Sequence, residues 1–92
     1  MILKMFCIFD NKADCYLTPF FFPHTGQAVR AFKDLVADKN STVGRHPDDY
    51  KLVHVGNWDD SVAEFEPTGV VSLGFGSDYV EKSDVIAMRG VS

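Results

Sequence analysis

The sequence predicts an α+β fold: a four-stranded antiparallel sheet in the order ββαββ, with one helix on one face and an irregular C-terminal tail. Three observations carry this reading. Residues 2–9 and 15–22 are apolar, β-branched or aromatic runs separated by an Asx-rich cluster. Residues 25–38 repeat their apolar side chains at helical spacing. Residues 50–55 and 61–66 form a second pair of short runs around another Asx cluster.

Each element follows from local chemistry. Asp10, Asn11 and Asp14 favour a turn after the first run, because Asx side chains hydrogen-bond nearby backbone. Pro23 closes the second run. Pro19 inside it has no N–H for a ladder, which puts that strand at an edge or bends it there. In the helix, Ala28, Val29, Ala31, Phe32, Leu35 and Val36 share one face, while Arg30, Lys33, Asp34 and Asp38 occupy the rest. Thr25 is the expected N-cap. The helix fades at Lys39-Asn40-Ser41, and Gly44 ends any extension. Residues 45–49 are a polar connection to the third strand, residues 50–55. Asn57, Asp59 and Asp60 turn the chain into the fourth, residues 61–66, and Pro67, Thr68 and Gly69 break the pattern. Residues 1–67 are therefore the expected core domain. Residues 68–92 have no clean period and are expected as a tail, partly ordered or packed on the sheet or a partner.

The 92 residues, 46% of them hydrophobic, suit one domain with a thin core. The formal charge is −4, and residues 51–92 supply all of it. A strong non-specific nucleic-acid binder shows a basic face or a high pI, so any contact with DNA has to come from a local patch. Two cysteines without a signal peptide imply free thiols in a reducing compartment. The apolar start is far shorter than the ~20 residues of a membrane helix, and no membrane association is expected.

The sheet carries more apolar surface than one helix can cover. If Phe9 pairs with Cys15, one face holds Leu3, Met5, Cys7, Phe9, Cys15 and Leu17, and the helix is expected there. The other holds Ile2, Lys4, Phe6, Ile8, Tyr16, Thr18 and Phe20, also mostly apolar. Leaving it wet forfeits ~25 cal/mol per Å². Three covers stand open: a second copy of the chain, residues 70–92, or stacked nucleic-acid bases. A homodimer interface would use Ile2, Phe6, Ile8, Tyr16 and Phe20. A nucleic-acid surface would use Phe6, Tyr16 and Phe20 with Lys4, Arg30, Lys33 and Lys51, and Arg45 adds a further positive charge nearby.

No constellation points to catalysis. His24, His46 and His54 lack paired ligand spacing with Cys7 or Cys15, so no metal is expected. Asp48-Asp49 and Asp59-Asp60 read as turn residues. Gly74-Phe75-Gly76 lacks the strand, helix and lysine of a phosphate loop. No nucleophile motif or dinucleotide fingerprint is present, so neither an enzyme nor a cofactor is expected.

One ordered set of residues resembles a known family. Lys4, Phe6, Ile8, Asp10, Tyr16 and Pro19-Phe20-Phe21 are followed by Ala28, Arg30, Phe32 and Asp34. His46-Pro47-Asp48-Asp49-Tyr50-Lys51-Leu52, Gly56 and Trp58-Asp59 complete it. Over residues 1–60 the chain is similar to the small non-structural protein of gokushovirus-type microviruses, phages with single-stranded DNA genomes. It departs in having Trp58-Asp59 for the family's Phe-Asp, with no Thr-Gly close behind. The resemblance implies a protein made in the cytoplasm of an infected bacterium and absent from the capsid. It implies binding to single-stranded DNA, or to phage replication proteins, during genome synthesis and packaging. The alternative is a homodimeric interaction module acting on a phage or host protein without touching DNA.

Overall fold

The computed structural model describes residues 1–80; residues 81–92, part of the expected tail, lie outside the described residues. The strands are β1 (Ile2–Asp10), β2 (Cys15–Tyr16), β3 (Phe20–Phe22), β4 (Tyr50–Asp59) and β5 (Glu64–Phe75). Between β3 and β4 lie α1 (Thr25–Ala37), α2 (Thr42–Arg45) and a 3₁₀ turn (Pro47–Asp49), and a second 3₁₀ turn (Gly76–Tyr79) follows β5. The sheet is antiparallel in the order β2-β1-β4-β5, with β3 also paired to β1. β2 and β3 are two halves of the expected second strand, parted at Leu17-Thr18-Pro19. The fold is the α+β arrangement that the sequence predicts.

The break at Pro19 shifts the strand by one residue. β1 pairs Phe9 with Tyr16 and Phe6 with Phe20. Three steps on β1 thus match four on its partner. Leu17 still donates its N–H to the Ile8 carbonyl at 2.8 Å, but the residues after it leave the ladder and absorb the extra step. Tyr16 and Phe20, expected on one face, therefore lie on opposite faces.

The helix lies on the opposite face from the one expected. Ala28, Phe32 and Val36 of α1 pack on Phe6, Ile8, Tyr50 and Leu52, with Phe20 and Phe22 against the cluster. Phe6 is wholly buried and Ile8 is 7% exposed. The composition of the two faces explains the choice. On this side Phe6, Ile8, Tyr50 and Leu52 offer the helix an apolar patch, with His54 opposite Phe6, whereas a helix on the other side would bury the Lys51 ammonium. Each fully buried side chain of this kind contributes about 1.5–3 kcal/mol.

Several boundaries differ from expectation: Gly44, expected to end any helical extension, lies inside α2, and β5 begins at Glu64 instead of residue 61. His24, not Thr25, is the N-cap of α1, and its N–H donates to the Gln27 Oε1 at 3.2 Å. β4 runs to Asp59, because Asn57 and Trp58 pair with β1 and β5 instead of turning. β5 continues through Pro67 to Phe75, so the expected domain boundary at residue 67 falls inside a strand. Pro67 is tolerated because β5 is an edge strand. Beyond it, Tyr79 meets Phe32 edge-on at 5.8 Å and its hydroxyl donates to the Leu73 carbonyl, so this part of the expected tail belongs to the core.

Candidate functional site: an open aromatic sheet face

Register decides which side chains remain free. Directly paired residues share a face. Leu3, Met5, Cys7 and Phe9 of β1 therefore point away from α1. They share that side with Tyr16, Phe21, Lys51, Val53, Gly56, Trp58, Phe65 and Phe75, by the pairings Phe9–Tyr16, Met5–Phe21, Cys7–Val53, Leu3–Trp58, Trp58–Phe65 and Lys51–Phe75. Six aromatic rings thus occupy one side of the sheet. Tyr16 is 49% exposed, and Phe21 and Phe65 are each 44% exposed. Cys7 and Val53 lie buried at the centre of this side although the helix packs on the other. Burial pushes the Cys7 thiol above its ordinary range.

Charges are sorted between the two sides. The strand carboxylates are Asp10, Asp59, Glu64 and Glu66, and the register places all of them on the helix side. The strand cations are Lys4 and Lys51. Lys4 is on the helix side, with its Nζ 3.3 Å from the Thr25 Oγ1 to which it donates. Lys51 is on the open side. Its Nζ lies 5.6 Å from the centroid of Phe9 and 5.5 Å from that of Phe75, inside cation–π range of both. Phe9 in turn packs against Tyr16 at 4.7 Å between centroids, tilted by 52°. At the other end of the face, the Phe65 ring occupies the space that a Cβ on Gly56 would need. An alanine there would displace it.

Among the residues proposed from sequence, the structure brings together Tyr16 and Lys51, joined through Phe9. Phe6 and Ile8 are buried and offer no free surface, while Phe20, partly buried, stacks on Phe6 at 5.9 Å on the helix side, away from Tyr16. This corrects both the interface and the stacking surface built on them. The physical cause is the choice of face together with the shift at Pro19. Arg30 and Lys33 are exposed on α1, across the sheet from Tyr16, and Lys33 sits 5.9 Å from the Tyr79 centroid. Ile2 is exposed at the end of β1 on the helix side, beside Asp59 and Glu64. Phe9, Phe21, Trp58, Phe65 and Phe75 were not singled out. Alternation marks them, once Lys51 is recognised as belonging to the side without a helix.

Other features are less suited to a site. An apolar recess of about 320 Å³ lies between α1 and β3, lined by Ile8, Phe20, Phe22, Ala31, Phe32 and Leu35. It presents no polar side chain to orient a ligand. His54 bridges within its own strand, its Nε2 2.9 Å from the Gly56 carbonyl and 3.0 Å from the Asn57 Oδ1. The Asp59 carboxylate accepts from the Ser61 hydroxyl at 2.6 Å and its N–H at 3.0 Å, and these bonds lower its pKa. The N-terminal ammonium donates to Asp60 at 2.7 Å, which raises its own pKa. Among the described residues no three His, Cys, Asp or Glu side chains gather as metal ligands, and no helix is long and apolar enough to cross a membrane.

Fold and surface together define a class: a small α+β protein whose sheet is covered by a helix on one side and lined with aromatics on the other. The chain belongs to the family described as Phage ORF5 protein, which it matches over residues 3–79. The match runs from β1 through the last 3₁₀ turn, well past the residues that carried the resemblance. No curated protein and no solved structure matches the chain.

Proposed function

We propose that this phage protein is a non-structural accessory factor of the gokushovirus type that binds single-stranded DNA through its open aromatic face during genome synthesis or packaging. It acts in the cytoplasm of the infected bacterium, by binding and without catalysis. The observation that carries this reading is the sorting of side chains across the sheet. Rings and one lysine lie on the open side, and every strand carboxylate lies on the other. Unpaired bases stack on aromatic side chains at ~1–3 kcal/mol per base with little regard to sequence. A sheet face without strand carboxylates weakens the local repulsion that the total charge of −4 would otherwise impose on phosphate. The resemblance to proteins of single-stranded DNA phages favours the same ligand.

A fluorescence-anisotropy titration of a labelled oligothymidylate at low salt tests the proposal. Saturable binding is expected, and a flat titration would remove direct DNA contact. A second reading, a homodimer joined through the same face, is favoured by the half-exposed Tyr16, Phe21 and Phe65. Light scattering on the free protein separates the two: a monomer leaves the face open for DNA, and a tight dimer closes it.

A further inference from the structure

Resting on the single-stranded DNA reading above, we propose that Phe9, Tyr16 and Phe75, gathered around Lys51, form the base-stacking subsite. Binding there is dominated by stacking and not by charge, so it selects unpaired bases over duplex and depends only weakly on salt.

The geometry supports the subsite in three ways. First, Lys51 is not a free arm. Its ammonium lies between two rings, 5.6 Å from Phe9 and 5.5 Å from Phe75, where a phosphate of a strand stacked on those rings comes within its reach. Second, Tyr16 extends the aromatic surface beyond Phe9 on the edge strand, with a centroid distance of 4.7 Å. Tyr16 is 49% exposed, so it is open to a ligand without rearrangement. Third, Lys51 is the one strand cation on this side, since Lys4 is turned to the helix side and bonded to Thr25. Lys12, exposed in the turn after β1, is the cation nearest Phe9 in sequence.

Charge counting then fixes the salt response. For a single strand, log K falls with log salt at a slope of about −0.7 per neutralised phosphate. One or two phosphates give a slope of about −0.7 to −1.4, or a fall of roughly 5- to 25-fold across a tenfold rise in salt. A duplex hides its base faces in its own stack and is held mainly through phosphate charge, which this side of the sheet hardly offers.

The test is an anisotropy titration of fluorescein-labelled oligothymidylate, and of a duplex of equal length, across a tenfold range of salt. The proteins are the full chain and its Phe9→Leu, Phe75→Leu and Lys51→Gln variants. Leucine keeps the face apolar, and circular dichroism with thermal unfolding confirms that each variant is folded. The expected slope is shallow. Each Phe→Leu change lowers affinity at least about fivefold with the slope unchanged. Lys51→Gln flattens the slope by about 0.7. The duplex binds at least tenfold more weakly than the single strand. A slope of about −3 or steeper, wild-type affinity in both Phe→Leu variants, or equal binding of duplex overturns the subsite and leaves the single-stranded DNA reading standing. No binding by the wild-type chain overturns both.

Discussion

Single side chains here are tuned by which side of the sheet they occupy. Cys7 and Cys15 are both free thiols, one buried and one exposed. Burial disfavours the Cys7 thiolate, the reactive form, and also bars reagents from it. A thiol reagent at mildly alkaline pH is therefore expected to label one cysteine quickly in the folded protein and the second only after denaturant is added. Cys15→Ser should abolish the fast phase; rapid labelling of both thiols would contradict the packing around Cys7. The sign of the linkage follows. A thiol whose pKa is raised on folding contributes stability below its unfolded pKa, and that contribution is lost as pH rises toward the folded value. Tyr50 obeys the same rule higher on the scale. Burial, with Asp10 and Asp49 nearby, raises its phenol pKa, so its contribution fades only above pH ~10.

The elements show what the sequence made legible. The helix period from Ala28 to Val36 is strong because one apolar stripe meets one flat surface, and α1 ends within one residue of its expected position. The four strand regions and their order along the chain were legible for a similar reason, since Asx and proline clusters punctuate apolar runs, although the second region splits into β2 and β3. Side-of-sheet assignment was not, because β1 is apolar on both sides and alternation alone gives no sign to the two faces. Tyr16 and Phe20 look like partners at even spacing, and only the pairing on either side of Pro19 reveals the extra residue between them. β5 was cut short at Pro67 because a proline reads as a terminator, although at a sheet edge it is not one. Two glycines test the elements with opposite signs. A Cβ at Gly44 would run into the backbone carbonyl of Asp38, whereas one at Gly26, in the first turn of α1, meets nothing within 4 Å. Urea unfolding should show Gly44→Ala destabilised by about 1–3 kcal/mol. Gly26→Ala should be stabilised by up to about 1 kcal/mol, through helix propensity. Equal effects of the two would mean that α2 does not sit against the end of α1 as described.

At the scale of the whole molecule, where a charge sits outweighs how many there are. Removing one negative charge and adding one should have unequal consequences. Glu66→Gln acts on the helix side and is expected to change oligonucleotide affinity less than twofold. Ser72→Glu places a carboxylate on the open side, opposite Val53, and is expected to weaken binding at least as much as Lys51→Gln. Equal responses in the same titration would show that only net charge matters. The segregation of carboxylates also bears on what a coated genome looks like from outside. Each bound subunit would turn its acidic back to the solvent. Neighbouring nucleoprotein strands would then repel one another over about a Debye length, ~8 Å at physiological ionic strength. On the proposed reading, a coat of this kind would keep neighbouring single strands apart in solution.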